Sequence, residues 1–175
     1  YFPKFFHPDP TVDRQSGFLQ PRISNSNVLG NSLAIPYFYA ASNSRDFTFT
    51  PTLFDENVQM IQTEFREVGK NFDFIADVGF TKGYKSSVIN KKKNINHLFS
   101  DLNLDLNFEN FNKSNLSLNI EKVNNDTFLK IFDTTLIDEA ISLKPSNKDK
   151  LSSEFKIFLD HKDYDLTSGF QLYEN

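Results

Sequence analysis

Cysteine is absent from this chain of 175 residues. No disulfide framework, thiol nucleophile or cysteine-based zinc site is therefore open to it, and the redox compartment is left undetermined. Tryptophan is absent too, methionine occurs once, and the six glycines are scattered, so no glycine-rich phosphate loop exists. The three histidines, His7, His97 and His161, lie far apart and show no ligand spacing. No metal and no cofactor is expected. An excess of positive charge is also lacking. Lys and Arg number 19 against 23 Asp and Glu, a net charge of −4, where a nucleic-acid binder would carry a basic surface or stripe. Long apolar runs are missing as well. Nothing approaches the ~20 consecutive apolar residues of a membrane helix. A membrane-spanning β-barrel stays open, because its strands are only half apolar.

What the chain has in excess is phenylalanine, 20 residues, and asparagine, 19. An AT-rich genome gives this bias through its codons. A structural reading gives it too: aromatic residues fill one face of many strands, while asparagine fills turns and the other face. The two readings are compatible. The chain starts at Tyr1 without an apolar leader and stops at Asn175 directly after a strand-like alternation, and both ends read as cuts through a longer protein, with processing of a mature chain as the competing explanation for the N-terminus.

Residues 1–28 read as a loop-like connector. They hold Pro3, Pro8, Pro10 and Pro21 together with Tyr1, Phe2, Phe5, Phe6 and Phe18. Proline removes a backbone donor and fixes φ, which excludes a central strand or a helix interior. From residue 29 alternation takes over. Phe72, Phe74, Ala76, Val78 and Phe80 alternate with Asp73, Ile75, Asp77, Gly79 and Thr81. Leu102, Leu104, Leu106 and Phe108 alternate with Asn103, Asp105, Asn107 and Glu109, and Leu116, Leu118 and Ile120 with Ser117, Asn119 and Glu121. A period of two places one face against an apolar medium and the other against water. The pattern predicts about eight strands, over 29–40, 45–54, 57–68, 71–82, 97–109, 114–124, 151–161 and 164–174. Several exceed the usual ~5–6 residues of soluble strands and match the ~9–11 that a tilted strand needs to cross a bilayer. Large soluble β-sandwiches also have long strands. Short polar turns predict up-and-down hairpins. Residues 83–96, with Lys91, Lys92 and Lys93, and residues 125–150 form longer connections. The second contains the one helical candidate, where Asp126 caps a turn through Phe128, Leu129, Ile131 and Phe132.

Catalytic signals are weak. Asp73 with Asp77, or Asp101 with Asp105, share a strand face as acid–base pairs would, but alternating acids on a wet strand face are ordinary solvation. His7 beside Asp9 reads as a hydrogen-bonded loop histidine. No enzyme is expected. Pro36 and Pro51 stand out, in LAIPYFYA and FTFTPTLF, each inside an otherwise regular strand. Each deletes one ladder hydrogen bond. An edge strand with a bulge explains them, and so does a seam built to open.

The runs FPKFFHPDPTVDRQSGFLQP, LGNSLAIPYFYAAS, RDFTFTPTLF and QTEFREV resemble, in order and spacing over residues 1–68, the LPS-assembly protein LptD family, also called OstA or Imp. VNNDTFLKIF resembles the segment that follows an early barrel strand in that family. The resemblance implies an all-β fold: an antiparallel up-and-down sheet forming part of an outer-membrane β-barrel, with a short helical insert. Residues 1–28 would be the end of a periplasmic β-jelly-roll and its joint to the barrel, and residues 29–175 the N-terminal barrel strands. The implied function is insertion of lipopolysaccharide into the outer leaflet of a Gram-negative outer membrane through a laterally opening seam. The implied partners are lipopolysaccharide, an LptE-like lipoprotein plug and an LptA-like periplasmic bridge. Pro36 and Pro51 would weaken the lateral gate. Arg14, Ser16 and Gly17 would form the domain joint, Gly17 in a conformation other residues resist and Arg14 on carboxylate or carbonyl partners. A small closed eight-stranded outer-membrane barrel and a secreted glycan-binding β-sandwich are the alternatives. On the barrel reading, Phe72, Phe74, Val78, Leu102, Leu104, Leu106, Leu116 and Leu118 face lipid. Asp73, Asp77, Asn103, Asp105, Ser117 and Asn119 face the lumen.

Overall fold

The computed structural model describes residues 14–55, 57–85, 92–125, 128–132, 143, 145, 147 and 149–174. His7, Asp9, Lys91 and Asp126 lie outside the described residues. The elements are β1 (Gly17–Phe18), β2 (Arg22–Ser26), β3 (Gly30–Ala34), β4 (Tyr37–Ser42), β5 (Arg45–Phe54), β6 (Gln59–Val68), β7 (Phe72–Lys85), β8 (Lys92–Asp105), β9 (Lys113–Val123), α1 (Phe128–Ile131), β10 (Leu151–His161) and β11 (Tyr164–Glu174). All strands join one antiparallel sheet, in sequence order from β4 to β11, with the β2–β3 hairpin and β1 on the β4–β5 side. From β5 onward every strand has 10 to 14 residues, enough for a tilted bilayer crossing. Among the described residues nothing pairs with the outer side of β1 and β2 or of β11.

Cross-strand pairs fix the faces, since directly paired residues point the same way. Phe74 pairs Leu102, which pairs Leu118, which pairs Phe155. Asp73 pairs Asn103, which pairs Ser117, and Asp77 pairs Phe99. The expected partition of apolar and polar side chains is therefore realised over β7, β8 and β9. Leu106 alone falls outside, just past the end of β8 and beside Asn107, which has φ 52°. The apolar face carries the exposed large side chains Phe18, Ile23, Leu33, Leu53, Ile61, Phe80, Leu98, Phe155, Leu166, Phe170 and Leu172. No described element covers it. An aromatic row crosses four strands there, with ring centroids 6.3 Å apart for Tyr39 and Phe47, 4.8 Å for Phe47 and Phe65 and 5.8 Å for Phe65 and Phe74.

The opposite, inner face departs from expectation at one end. Phe54, Met60, Tyr84, Ile95 and Phe99 meet Phe128, Leu129 and Phe132 in a buried apolar cluster. Phe128 and Phe132 lie 5.1 Å apart, and Phe132 packs edge-on to Phe54 and Tyr84. The β9–β10 connection thus folds back onto the sheet. Its helix is only four residues, far too short to persist without this burial.

The strand boundaries need three corrections. The expected strand 29–40 is interrupted at Ile35–Pro36, giving β3 and β4. The described part of residues 1–28 is not loop alone but contributes β1 and β2 as a broken edge strand. This is compatible with Pro21 because an edge tolerates a missing donor. The strands expected over 71–82 and 97–109 reach further into the connection expected over 83–96, running to Lys85 and starting at Lys92, with Tyr84 and Ile95 in the inner cluster rather than in a loop, and the second ends at Asp105.

Candidate functional site

The edge of the sheet beside β1–β5 brings together the residues singled out in the sequence. Ile35 donates to the Pro51 carbonyl at 3.1 Å, and Leu19 to the Pro36 carbonyl at 2.9 Å. In an antiparallel ladder such close pairs exchange two bonds. Here each pair makes one, because the returning donor would be a proline nitrogen. The register carries straight through: Ala34 pairs Thr52 and Tyr37 pairs Phe49, so Ile35 stands opposite Pro51. Pro51 removes a bond between β5 and the β3–β4 strand. Pro36 removes one between that strand and β1. The Pro36 ring is buried on the inner face and the Pro51 ring is exposed on the outer one.

A third proline completes the line, and it was not read from the sequence as part of the gate. Gly17 pairs Phe38 while Arg22 pairs Ala34. Five residues advance on the edge strand against four on its neighbour, so one extra residue bulges out at Gln20–Pro21. Pro21, Pro36 and Pro51 therefore cross three adjacent strands at one height.

Toward the β4–β5 turn, Arg14 is held on both kinds of partner expected. It forms an ion pair with Asp46 and donates to the Asn43 carbonyl at 3.3 Å, with its guanidinium 5.3 Å from the centre of the Phe38 ring. Arg66 donates to the other Asp46 oxygen at 2.9 Å and lies 3.3 Å from Glu64. Asp46, 6% exposed at its side chain, thus sits between two guanidiniums that compensate its burial. The Ser16 hydroxyl accepts the Ala40 amide at 2.9 Å. Gly17 corrects an expectation. The positive-φ glycines among the described residues are Gly30 and Gly83, and a Cβ on Gly17 would meet nothing within 4 Å. It is an ordinary strand residue.

At the other end of the same edge, Asp55 accepts the Asn31 amide at 2.9 Å and the Asn31 side chain at 2.7 Å, while Asn25 donates to Asn31 at 2.7 Å. The edge hairpin is tied at both ends by side chains.

The inner face holds a further polar group. Gln62 donates to Asp77 at 2.6 Å, and the His97 Nε2 lies 3.4 Å from the other Asp77 oxygen. The His97 ring is wholly buried between Phe99, at 4.9 Å, and Phe128, at 4.8 Å. Gly79, directly opposite, makes room for it: a Cβ there would come within 2.0 Å of the ring. Of the acidic residues weighed for catalysis, Asp77, Asp101 and Asp105 accept from side-chain amides. Asp101 accepts from Asn103 at 2.7 Å and Asp105 from Asn115 at 2.6 Å.

No family model matches the chain. It is 41% identical over 54 residues to the LPS-assembly protein LptD of Legionella pneumophila (strain Paris), 31% of this chain and 6% of that protein. It is 32% identical over 76 residues to the LPS-assembly protein LptD of Paraburkholderia xenovorans, 40% of this chain and 10% of that protein. With the protein of the same name from Nitrosomonas europaea it shares 30% identity over 61 residues, 35% of this chain and 8% of that one. The matches thus span a tenth or less of the length of these curated relatives. Over about a third of its length, the chain is similar to proteins named LPS-assembly protein LptD.

Proposed function

We propose that this chain forms the first strands of an outer-membrane β-barrel that inserts lipopolysaccharide into the outer leaflet, with the edge at β1–β4 as one side of a laterally opening seam. The observation that carries this reading is a single-layer sheet of long strands whose apolar outer face is uncovered while three prolines cross its free edge. A soluble sandwich would cover that face with a second sheet. A lipid bilayer covers it without one. The similarity to LptD supplies the cargo.

The orientation follows from the turns. The β4–β5, β6–β7 and β10–β11 turns are short and lie at the end where Arg14 enters. By far the longest connection, over 124–150, lies at the opposite end, and the other connections between β4 and β11 at both ends have seven residues or fewer. Barrels of this class have short periplasmic turns and long external loops. Residues 1–28 then join a periplasmic jelly-roll to the barrel, and Arg14, Ser16 and Gly17 mark the joint at the periplasmic rim. The remaining barrel strands, an LptE-like lipoprotein within the barrel and an LptA-like bridge delivering the lipid complete the machine. The chain's role is transport across a seam, not bond-making chemistry.

Depleting the full-length protein from its own cells tests this. Lipopolysaccharide should disappear from the cell surface and accumulate inside the outer membrane, read by surface labelling and membrane fractionation. Unchanged surface lipopolysaccharide would sink the proposal.

A further inference from the structure

The outer face has one feature that bilayer contact alone does not require. A groove of 490 Å³ opens on it across β5 to β8, within the ~300–1,000 Å³ usual for ligand sites. Its row toward mid-sheet is Pro51, Ile61 and Phe80, with Asn96 closing it on β8. The next row, toward the rim with the 124–150 connection, is Leu53, Gln59 and Lys82, with Asn94 beyond Asn96 on β8. Leu53, Ile61 and Phe80 are about half exposed, at 55%, 48% and 57%.

A bulge accompanies the groove. Thr81 pairs Ile95 but Tyr84 pairs Lys93, so three residues advance on β7 against two on β8. The extra residue falls at Lys82–Gly83. Gly83 has φ 92°, and a Cβ there would come 2.6 Å from the Asn57 carbonyl. No residue with a side chain fits that position without strain. Bulges re-aim neighbouring side chains, and this one sits next to Lys82. Among the described residues none forms an ion pair with Lys82.

The balance shifts along the strands: three apolar side chains and one amide in the mid-sheet row, then Lys82 beside Gln59, with Asn94 and Leu53, toward the rim. A purely hydrophobic ligand would leave the cation without purpose, and a soluble anion would leave the apolar side chains without one. We propose that the groove is a docking site for one molecule of phosphorylated glycolipid, namely lipopolysaccharide. An acyl chain lies along Pro51, Leu53, Ile61 and Phe80. A phosphate rests on the Lys82 ammonium, and the Asn94 and Asn96 amides donate to phosphate or sugar oxygens. Phosphate oxygens are strong acceptors for such charge-assisted bonds. The choice of lipopolysaccharide rests on the function proposed above; the demand for an anionic headgroup with an acyl chain rests on the groove alone. The site lies one strand inward of the proline line, with Pro51 belonging to both.

The test uses the full-length protein in phosphatidylcholine nanodiscs, titrated with phosphorylated lipid A, with the same lipid after dephosphorylation, and with phosphatidylglycerol, bound lipid being counted by native mass spectrometry. Phosphorylated lipid A should bind at one tight site. Lys82→Glu should weaken it about tenfold or more, as loss of a charge-assisted bond does, and Lys82→Arg should retain it. Phe80→Ser should weaken both forms of lipid A alike. Dephosphorylation should lower wild-type affinity to that of Lys82→Glu. Heat-modifiable electrophoretic mobility checks that each variant is folded. Equal binding by wild type, Lys82→Glu and Phe80→Ser overturns the site. Phosphatidylglycerol binding as tightly as lipid A overturns the assignment to lipopolysaccharide. Surface delivery separates this proposal from the function it rests on. If binding ignores Lys82 while depletion abolishes delivery, the groove fails and the transport reading stands. If lipid A binding depends on Lys82 while depletion leaves delivery intact, the transport reading fails alone.

Discussion

Replacing Pro36 and Pro51 together by alanine in the full-length protein supplies two amide donors where the ladder lacks them. The Pro51→Ala amide would face the Ile35 carbonyl, whose own amide already donates to residue 51 at 3.1 Å. The Pro36→Ala amide would face the Leu19 carbonyl across a pair already joined at 2.9 Å. No backbone movement is needed, because the register on either side of each proline is continuous. Each new bond is worth roughly 0.5–1.5 kcal/mol net in water. It is worth more in hydrocarbon, where an unpaired backbone group costs several kcal/mol. Two bonds therefore bias an open–closed equilibrium toward closed by one to two powers of ten, each ~1.4 kcal/mol being tenfold. Surface lipopolysaccharide should fall accordingly while the unfolding temperature of the barrel rises, read by surface labelling and by heat-modifiable mobility. Placing proline in β6 or β7 should instead impair folding without raising transport. If the double replacement raises thermal stability and leaves delivery unchanged, the prolines are edge and bulge residues and the gate assignment is refuted.

Asp46→Ala should lower stability by about 1–2 kcal/mol, less than the ~3–5 kcal/mol of a fully buried pair, because Arg14 and Arg66 are partly exposed and reach water; chemical denaturation checks this, and Arg14→Ala should cost less than Asp46→Ala since Arg66 still compensates the carboxylate. Gly79→Ala should cost on the order of 1–3 kcal/mol by overpacking, with His97→Ala in the same chain recovering part of it; additive losses in a double-mutant cycle would refute the fit of ring to glycine. Gly17→Ala should change stability by no more than about 0.5 kcal/mol, and a larger loss would show that the joint constrains its backbone after all. In hydrogen exchange the Leu19 and Ile35 amides, each in a half-made pair, should exchange sooner than amides of β6 and β7; equal protection would remove the weak line.

How far the sequence disclosed this fold depends on the residue. Period two was legible wherever one face is uniformly apolar, as in Phe72–Phe80 and Leu116–Ile120, because the two faces see different media. It was misleading at Ile95, His97 and Phe99. There the outer neighbours Asn94 and Asn96 are polar and the apolar side chains point inward, because the β9–β10 connection returns onto the inner face. Alternation gives no sign of such a long-range contact. Phe128, Leu129 and Phe132 were legible as a helical turn, but not as the filling of the inner face. Pro36 and Pro51 announced themselves by breaking their strands. Pro21 did not, since in a proline-rich, aromatic stretch it looked like one more connector residue. Its place in the line appears only from the pairing of Arg22 with Ala34. Gly17 was over-read, as its sequence neighbourhood suggested a special backbone where the structure has an extended one. Lys82 and Gly83 carried no sequence signal, because a bulge is a count of residues on two strands together.

The bonds along the free edge are distributed unevenly, and on the gate proposed above that distribution would set how the edge parts. Near the β4–β5 turn it is fastened by Arg14 on Asp46 and by Ser16 on the Ala40 amide. Near the β2–β3 turn it is fastened by Asn25, Asn31 and Asp55, and there Ser26 accepts the Leu29 amide at 2.9 Å. Between these ends lie the bulge at Pro21 and the half-made pairs Leu19–Pro36 and Ile35–Pro51. An edge strand weak throughout would peel away from one end and leave its backbone groups exposed to lipid, each at a cost of several kcal/mol. An edge fastened at both ends and thinned in the middle can part at mid-height while its ends hold register. A lipid has its acyl chains at that height and its headgroup toward a rim. The prolines also make parting less costly than in a regular ladder, since two of the bonds that would have to break are already absent in the closed state. On the gate proposed above, side-chain ties at the rims and missing donors at the centre would be complementary: the first would preserve the alignment that the second would allow to loosen.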